Sequence, residues 1–145
     1  METLSYFLTI AGFIIGLGAV TVIDTLGFLG RNSSYWTETT IRSHKVTKPL
    51  IWIGIFLVLV GATLLKNNYI LSISEYGVWI KIIILLIANG IFLSFYISPD
   101  LLKREEMGMS GELLPMIMQY QIIASFIISF VGWWSLVFLF INVIR

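Results

Sequence analysis

Four long apolar runs free of charge dominate this chain, and they decide most of what it can fold into. Leu4 to Ile23 holds 20 residues without a charge, and apolar character continues past Asp24 to Gly30. Pro49 to Leu65 is the second run, closed by Lys66-Asn67-Asn68. Ile82 to Pro99 is the third, and Leu113 to Ile144 the fourth. A helix needs about 20 residues to cross about 30 Å of hydrocarbon. Each run therefore predicts a transmembrane helix. The composition agrees: the chain is 58% hydrophobic and only 12% charged, with a mean hydropathy of +0.95. A soluble domain is about 45–50% apolar and about 25% charged. The expected fold is all-α, a single polytopic integral membrane domain over residues 1–145. Its bundle has four transmembrane helices over about 4–30, 40–66, 77–98 and 113–144. Met1-Glu2-Thr3 lacks the basic region and small-residue cleavage site of a secretory signal, so the first run is expected to be a membrane helix.

Lys and Arg in the short loops predict orientation. Arg31, Arg42, Lys45, Lys48, Lys103 and Arg104 lie on one side, and Lys66, Lys81 and Arg145 on the other. Six against three places the two longer loops in the cytoplasm and both termini outside the cell membrane. Tyr and Trp near predicted helix ends, Trp52 and Trp79 among them, fit interfacial belts. Pro49 falls in the first turns of helix two, where it would kink the helix. Ser98-Pro99-Asp100 reads as an N-cap, a first-turn proline and a first-turn acid, opening a short interfacial helix over about 99–107. Asp24 stands 25 residues before Pro49, and Asn89 stands 26 before Pro115. That spacing suggests two αα-hairpin pseudo-repeats.

The polar residues within these runs are the candidate site. Asp24 precedes Arg31 by seven positions, and an ionisable group there is expected to face the bundle interior with a partner. Asn89, Gln119, Gln121, His44 and Lys48 are expected to converge with Asp24 on the cytoplasmic third of the bundle. The functional reading is a polar site for a proton, an ion or a small polar ligand. The plainer reading is an anchor, with Asp24 paired to Lys48 or Lys45 near the headgroups. Gly12, Gly16 and Gly18 give helix one a small-residue face for close helix packing. Packing inside the bundle is the first expectation for that face, and homo-oligomerisation the alternative.

Several chemistries find no support. The chain has no cysteine, which excludes disulfides, thiolate metal sites and a cysteine nucleophile. His44 is the sole histidine, so a haem held by two histidines of one chain is excluded. His44 with a methionine of Met107-x-Met109 or Met116-x-Met118 is the one route left to haem or copper. No phosphate-binding glycine loop, catalytic carboxylate pair or serine–histidine–acid arrangement is present. No enzymatic activity, resident cofactor, metal site or nucleic-acid partner is therefore expected. The partners expected are the lipid bilayer itself and, for the basic, aromatic stretch 31–48, anionic lipid headgroups. Asn32-Ser33-Ser34 matches a glycosylation acceptor, on the side expected to be cytoplasmic.

Two stretches carry a resemblance. One is Gly16-Leu-Gly-Ala-Val-Thr-Val-Ile-Asp24 followed by His44 and Pro49-Leu-Ile-Trp-Ile-Gly54. The other is Asn89-Gly90 with Ser98-Pro99 and Leu101-Leu102. Together they resemble small uncharacterised prokaryotic four-helix membrane proteins. The His44…Trp52…Gly54 pattern is distantly similar to copper-resistance D type membrane proteins, whose helix histidines are proposed to serve haem or metal. The resemblance implies a four-helix membrane protein, and this chain lacks the further histidines of that pattern. Three readings of function follow: a transporter or channel-like component with a polar site near the cytoplasmic side, a structural or accessory subunit acting through helix packing, or a haem- or copper-handling membrane protein.

Overall fold

The computed structural model describes residues 2–144, so Met1 of the N-terminal motif and Arg145 of the charge count lie outside it. Five helices are present among the described residues: α1 (Glu2–Leu29), α2 (Ser34–Asn67), α3 (Ile73–Phe92), α4 (Ser98–Glu106) and α5 (Met116–Val143). Leu93–Ile97 forms a wide π-turn that runs α3 straight into α4. Four stretches are thus long and apolar enough to cross a membrane. Large apolar side chains such as Phe7, Ile14, Phe56, Ile84 and Phe138 stay exposed on the outside of the bundle. Lipid is the solvent that makes such a surface stable, and the chain is a multi-pass, all-α membrane protein.

Glycine sets the closest contact of the bundle. A Cβ on Gly12 would stand 2.8 Å from Val58 N and 2.9 Å from Gly54 O. One on Gly54 would meet Gly16 N at 2.6 Å, and one on Gly61 would meet Thr9 N at 2.8 Å. The α1 and α2 backbones therefore touch directly over about two turns. In lipid, where apolar burial gives no net drive between helices, such van der Waals contact holds them together. Gly16 also receives the Trp133 ring of α5. The Gly12 and Gly16 face is thus filled from within the chain. Gly18 has no neighbour there: a Cβ on it would meet nothing within 4 Å.

Against this pair packs an aromatic core away from the basic end. Phe13 lies 5.6 Å from Phe140 and 6.3 Å from Trp79, centroid to centroid, and Trp133 meets Phe13 edge-on. Trp79 is only 1% exposed, so it is a core residue and not part of an interfacial belt. On the other side of α5, Gly132 accepts the Leu86 side chain of α3. The two hairpins are therefore held by different devices, and the pseudo-repeat in the sequence has no counterpart in the packing.

Several helix bounds differ from those expected, each for a local reason. α3 starts at Ile73 and not near 77, because Ser72 and Glu75 close a capping box: Glu75 N–H donates to Ser72 Oγ (3.2 Å) and Ser72 N–H to the Glu75 carboxylate (2.8 Å). α2 starts at Ser34 and not near 40, and the Thr37 hydroxyl donates back to Gly30 O (2.6 Å). Its 34 residues span about 51 Å at 1.5 Å per residue, well beyond the hydrocarbon. Pro49 is consequently interior to α2, not in its first turns. The carbonyl it leaves without a partner belongs to Lys45, at a level where water reaches it. α5 begins at Met116, after Pro115, not at Leu113.

The expected break before the short helix is also absent. Pro99 cannot donate a backbone hydrogen bond, and the wide turn before it absorbs the misfit: Ser98 N–H reaches back five residues to Leu93 O. Ser98 is not a cap, since its hydroxyl is engaged elsewhere.

Gly54→Ala is expected to lower stability by about 1–3 kcal/mol, the usual cost of forcing atoms into a filled contact. Gly18→Ala should leave stability unchanged or slightly raised. Thermal unfolding in detergent compares the two, and equal melting temperatures would refute the backbone contact.

Candidate functional site

The register of α1 against α2 fixes the depth of Asp24. Gly16 lies against Gly54, and Gly27 has Thr40 as a neighbour. Running antiparallel between these points, Asp24 stands abreast of residues 43–46 of α2. Arg42, Lys45 and Lys48 flank that level. Asp24 is thus at the edge of the hydrocarbon, not a long way inside it.

Beside it a cavity of about 150 Å³ opens between α1, the first turns of α2 and α5. At Gly16 the α5 side chain Trp133 presses on α1, but at Gly27 the nearest α5 atom, from Ile122, would be 3.7 Å from a Cβ. α5 stands off from α1 at this end, and the cavity is that gap. Its walls are mostly apolar, with Phe28, Ile122, Ile123 and Phe126 prominent. Five polar residues reach it: Asp24, Arg31, Thr37, Thr40 and Gln119.

Three of the five have their donors engaged within the chain. Thr37 donates to Gly30 O and Thr40 to Trp36 O (2.7 Å), while Gln119 Nε2 donates to Leu114 O (2.8 Å). Arg31 lays its guanidinium over the Phe28 ring at 4.4 Å, with Nε buried and unpartnered. Asp24 Oδ2 is buried and accepts no hydrogen bond. Asp24 forms no ion pair among the described residues. Lys45 pairs instead with Glu105 of α4 (2.8 Å), and Arg42 with Glu38 one turn away. The expected anchor of Asp24 on Lys45 or Lys48 is not formed.

Asn89 lies at a similar height on the opposite side of α5, since Ser125 binds it and the adjacent Phe126 lines the Asp24 cavity. Its Nδ2 donates to Ser125 O (3.1 Å) and Ser129 Oγ (2.8 Å), and Ser125 Oγ donates back to Asn89 Oδ1 (2.9 Å). Asn89 is a clamp between α3 and α5. Gln121 borders a second, more open cavity of about 310 Å³ on that same side, which Asn89 and Ser125 also line. His44 is in a third place, its Nε2 2.6 Å from Ser98 Oγ. With the Lys45–Glu105 pair it ties α2 to α4 at the level of Asp24. Lys48 is half-exposed and outside both cavities.

The six candidate residues therefore do not form one site, because α5 separates them. Asp24 and Gln119 share the cavity, Asn89 and Gln121 lie across α5, and His44 serves the α2–α4 junction. Phe28 and Arg31 are cavity residues that the sequence did not single out, although they follow Asp24 by four and seven positions, Phe28 on α1 and Arg31 in the 3-10 turn after it. The sequence reading also missed Ser125 and Ser129, which stand four apart on α5 and so present one face. No group of three or more His, Asp or Glu that could hold a metal ion occurs among the described residues. No known protein family, curated protein or solved structure matches this chain.

Asn89→Leu should destabilise the protein by roughly 1–3 kcal/mol, from bonds averaging about 0.6 kcal/mol each plus stranded serines. Asp24→Asn should leave the melting temperature nearly unchanged, since no bond is lost. A loss for Asp24→Asn as large as for Asn89→Leu would make the carboxylate structural.

Proposed function

We propose that this chain is a small membrane transport component that holds its substrate in the cavity beside Asp24. One observation carries the reading: Asp24 brings a buried, unpartnered carboxylate oxygen to a cavity, whereas Asn89 and His44 are bonded inside the protein. An interhelical hydrogen bond in lipid contributes only about 0.6 kcal/mol, up to about 1.7. Asn would serve that purpose as well as Asp, and here the bond is not even made. A charge kept without a partner at such a place is accounted for by a ligand or ion that comes and goes.

In this reading the cavity opens on the cytoplasmic side. Arg31, Arg42, Lys45, Lys48, Lys103 and Arg104 all belong to that end, against Lys66, Lys81 and Arg145 at the other. Exposed Arg42 would meet anionic headgroups there. Both termini are then outside.

Two measurements test this. The chain has no cysteine, so a single one placed at Ser33 or at Tyr69 reports its own side of the membrane. An impermeant thiol reagent added to intact cells should label Tyr69→Cys and spare Ser33→Cys; the reverse would invert the orientation. Proteoliposomes supply the functional test, with fluxes of protons, monovalent cations, amines and organic acids followed in turn. A flux carried by the wild type and lost in a folded Asp24→Asn variant is expected. No flux difference between wild type, variant and empty liposomes would favour an accessory subunit. A Soret band or stoichiometric copper in the purified protein would replace the reading with a haem- or copper-handling one.

A further inference from the structure

We infer that the Asp24 cavity takes an amphipathic ammonium: a hydrophobic molecule carrying one cationic, hydrogen-donating head. The inference rests on the reading of the cavity as a substrate site and names the substrate class. Two charged groups compete to define that class. Arg31 keeps a buried, unpartnered Nε, but its guanidinium lies over the Phe28 face and the residue stands in the 3-10 turn Gly30–Asn32 beyond the end of α1. Asp24 has neither, and one of its oxygens is buried without a partner. The charge left uncompensated is negative, and the polar atom it calls for is a donor.

Depth adds an independent constraint. Asp24 stands at the edge of the hydrocarbon, about 10 Å below Arg31 by its seven residues at 1.5 Å each. An alkylammonium in a bilayer settles with its head at that boundary and its tail in the hydrocarbon. Below and beside Asp24 the wall is Ile123, Phe126 and Ile127 of α5, without a polar group. The head would meet the carboxylate and the tail that wall, with the Phe126 ring available to a cation. An anionic amphiphile would place its charge against Asp24, and its one cationic counterpart among the cavity's side chains would be Arg31, whose guanidinium already lies over Phe28. Gln119 adds an acceptor, since its side-chain oxygen has no partner while one Nε2 hydrogen is held by Leu114 O.

The test is a matched series of equal chain length: octylammonium, octanesulfonate and octanol, titrated calorimetrically into the purified protein in maltoside micelles. Octylammonium should bind the wild type saturably, with the other two indistinguishable from empty micelles. Asp24→Asn should weaken it roughly 30-fold or more, the lower end of what losing one partner of a buried charge pair costs. Arg31→Gln should tighten it, since a charge of the same sign as the ligand leaves the cavity, and unchanged melting temperatures establish that the variants are folded. Octanol binding as well as octylammonium would overturn the inference, showing a neutral, shape-selected cleft. Octanesulfonate binding lost in Arg31→Gln would also overturn it, assigning the cavity to anions. If none of the three binds but the liposome flux still needs Asp24, the substrate class is wrong and the site stands. If neither binding nor flux depends on Asp24, both fall.

Discussion

The direct backbone contact between α1 and α2 is the constraint on which the rest of the bundle depends. Gly12, Gly16, Gly54 and Gly61 let two helices of 28 and 34 residues lie against each other without side chains between them. This contact sets their register. The register in turn decides that Asp24 stands level with the basic residues of α2 and not at the middle of the bilayer. It also leaves α5 packed more loosely on α1 toward the Asp24 end. Where Gly16 accepts Trp133 the helices are tight, and where Gly27 faces Ile122 a Cβ would have room at 3.7 Å. The cavity is a consequence of that divergence.

Polar groups in such a bundle have three ways to exist, and all three are present. They can be satisfied by their own helix, as Thr9 is when it donates to Ser5 O (2.8 Å). They can clamp a neighbour, as Asn89 does through both ends of its amide to α5. They can face a cavity with capacity unspent, as Asp24 does. An unsatisfied polar group in hydrocarbon costs several kcal/mol. At the hydrocarbon edge the cost is lower, and this makes the position tenable between occupants.

The class of fold was legible because lipid imposes a simple requirement. Any run of about 20 apolar residues must close its backbone bonds internally, so hydropathy alone dictates a helix. The ends were less legible where polar residues extend a helix beyond the membrane. Thr37 and Thr40 continue α2 past the level of Asp24, and hydropathy does not register such residues. The capping box at Ser72 and Glu75 was readable from the spacing alone, and would have placed the start of α3 correctly. Proline misled at Pro49, which is interior to α2, whereas Pro99 does stand in the first turn of α4, which α3 enters through a π-turn. The candidate site was legible residue by residue but not as an arrangement. Asp24 and Asn89 are alike in sequence setting, and only the positions of Ser125 and Phe126 on opposite faces of α5 separate them. Pairwise packing of this kind leaves no mark in hydropathy or spacing.

The central claim is that Asp24 presents an accessible carboxylate to an open cavity in the folded protein. Dicyclohexylcarbodiimide, a hydrophobic reagent that modifies carboxyl groups at the membrane, measures this directly, with the modified residue located by peptide mass. The account predicts that Asp24 is modified in the native membrane and that the reaction slows when octylammonium is bound first. An Asp24 that stays unmodified until the protein is unfolded would contradict it, showing a carboxylate sealed within the bundle.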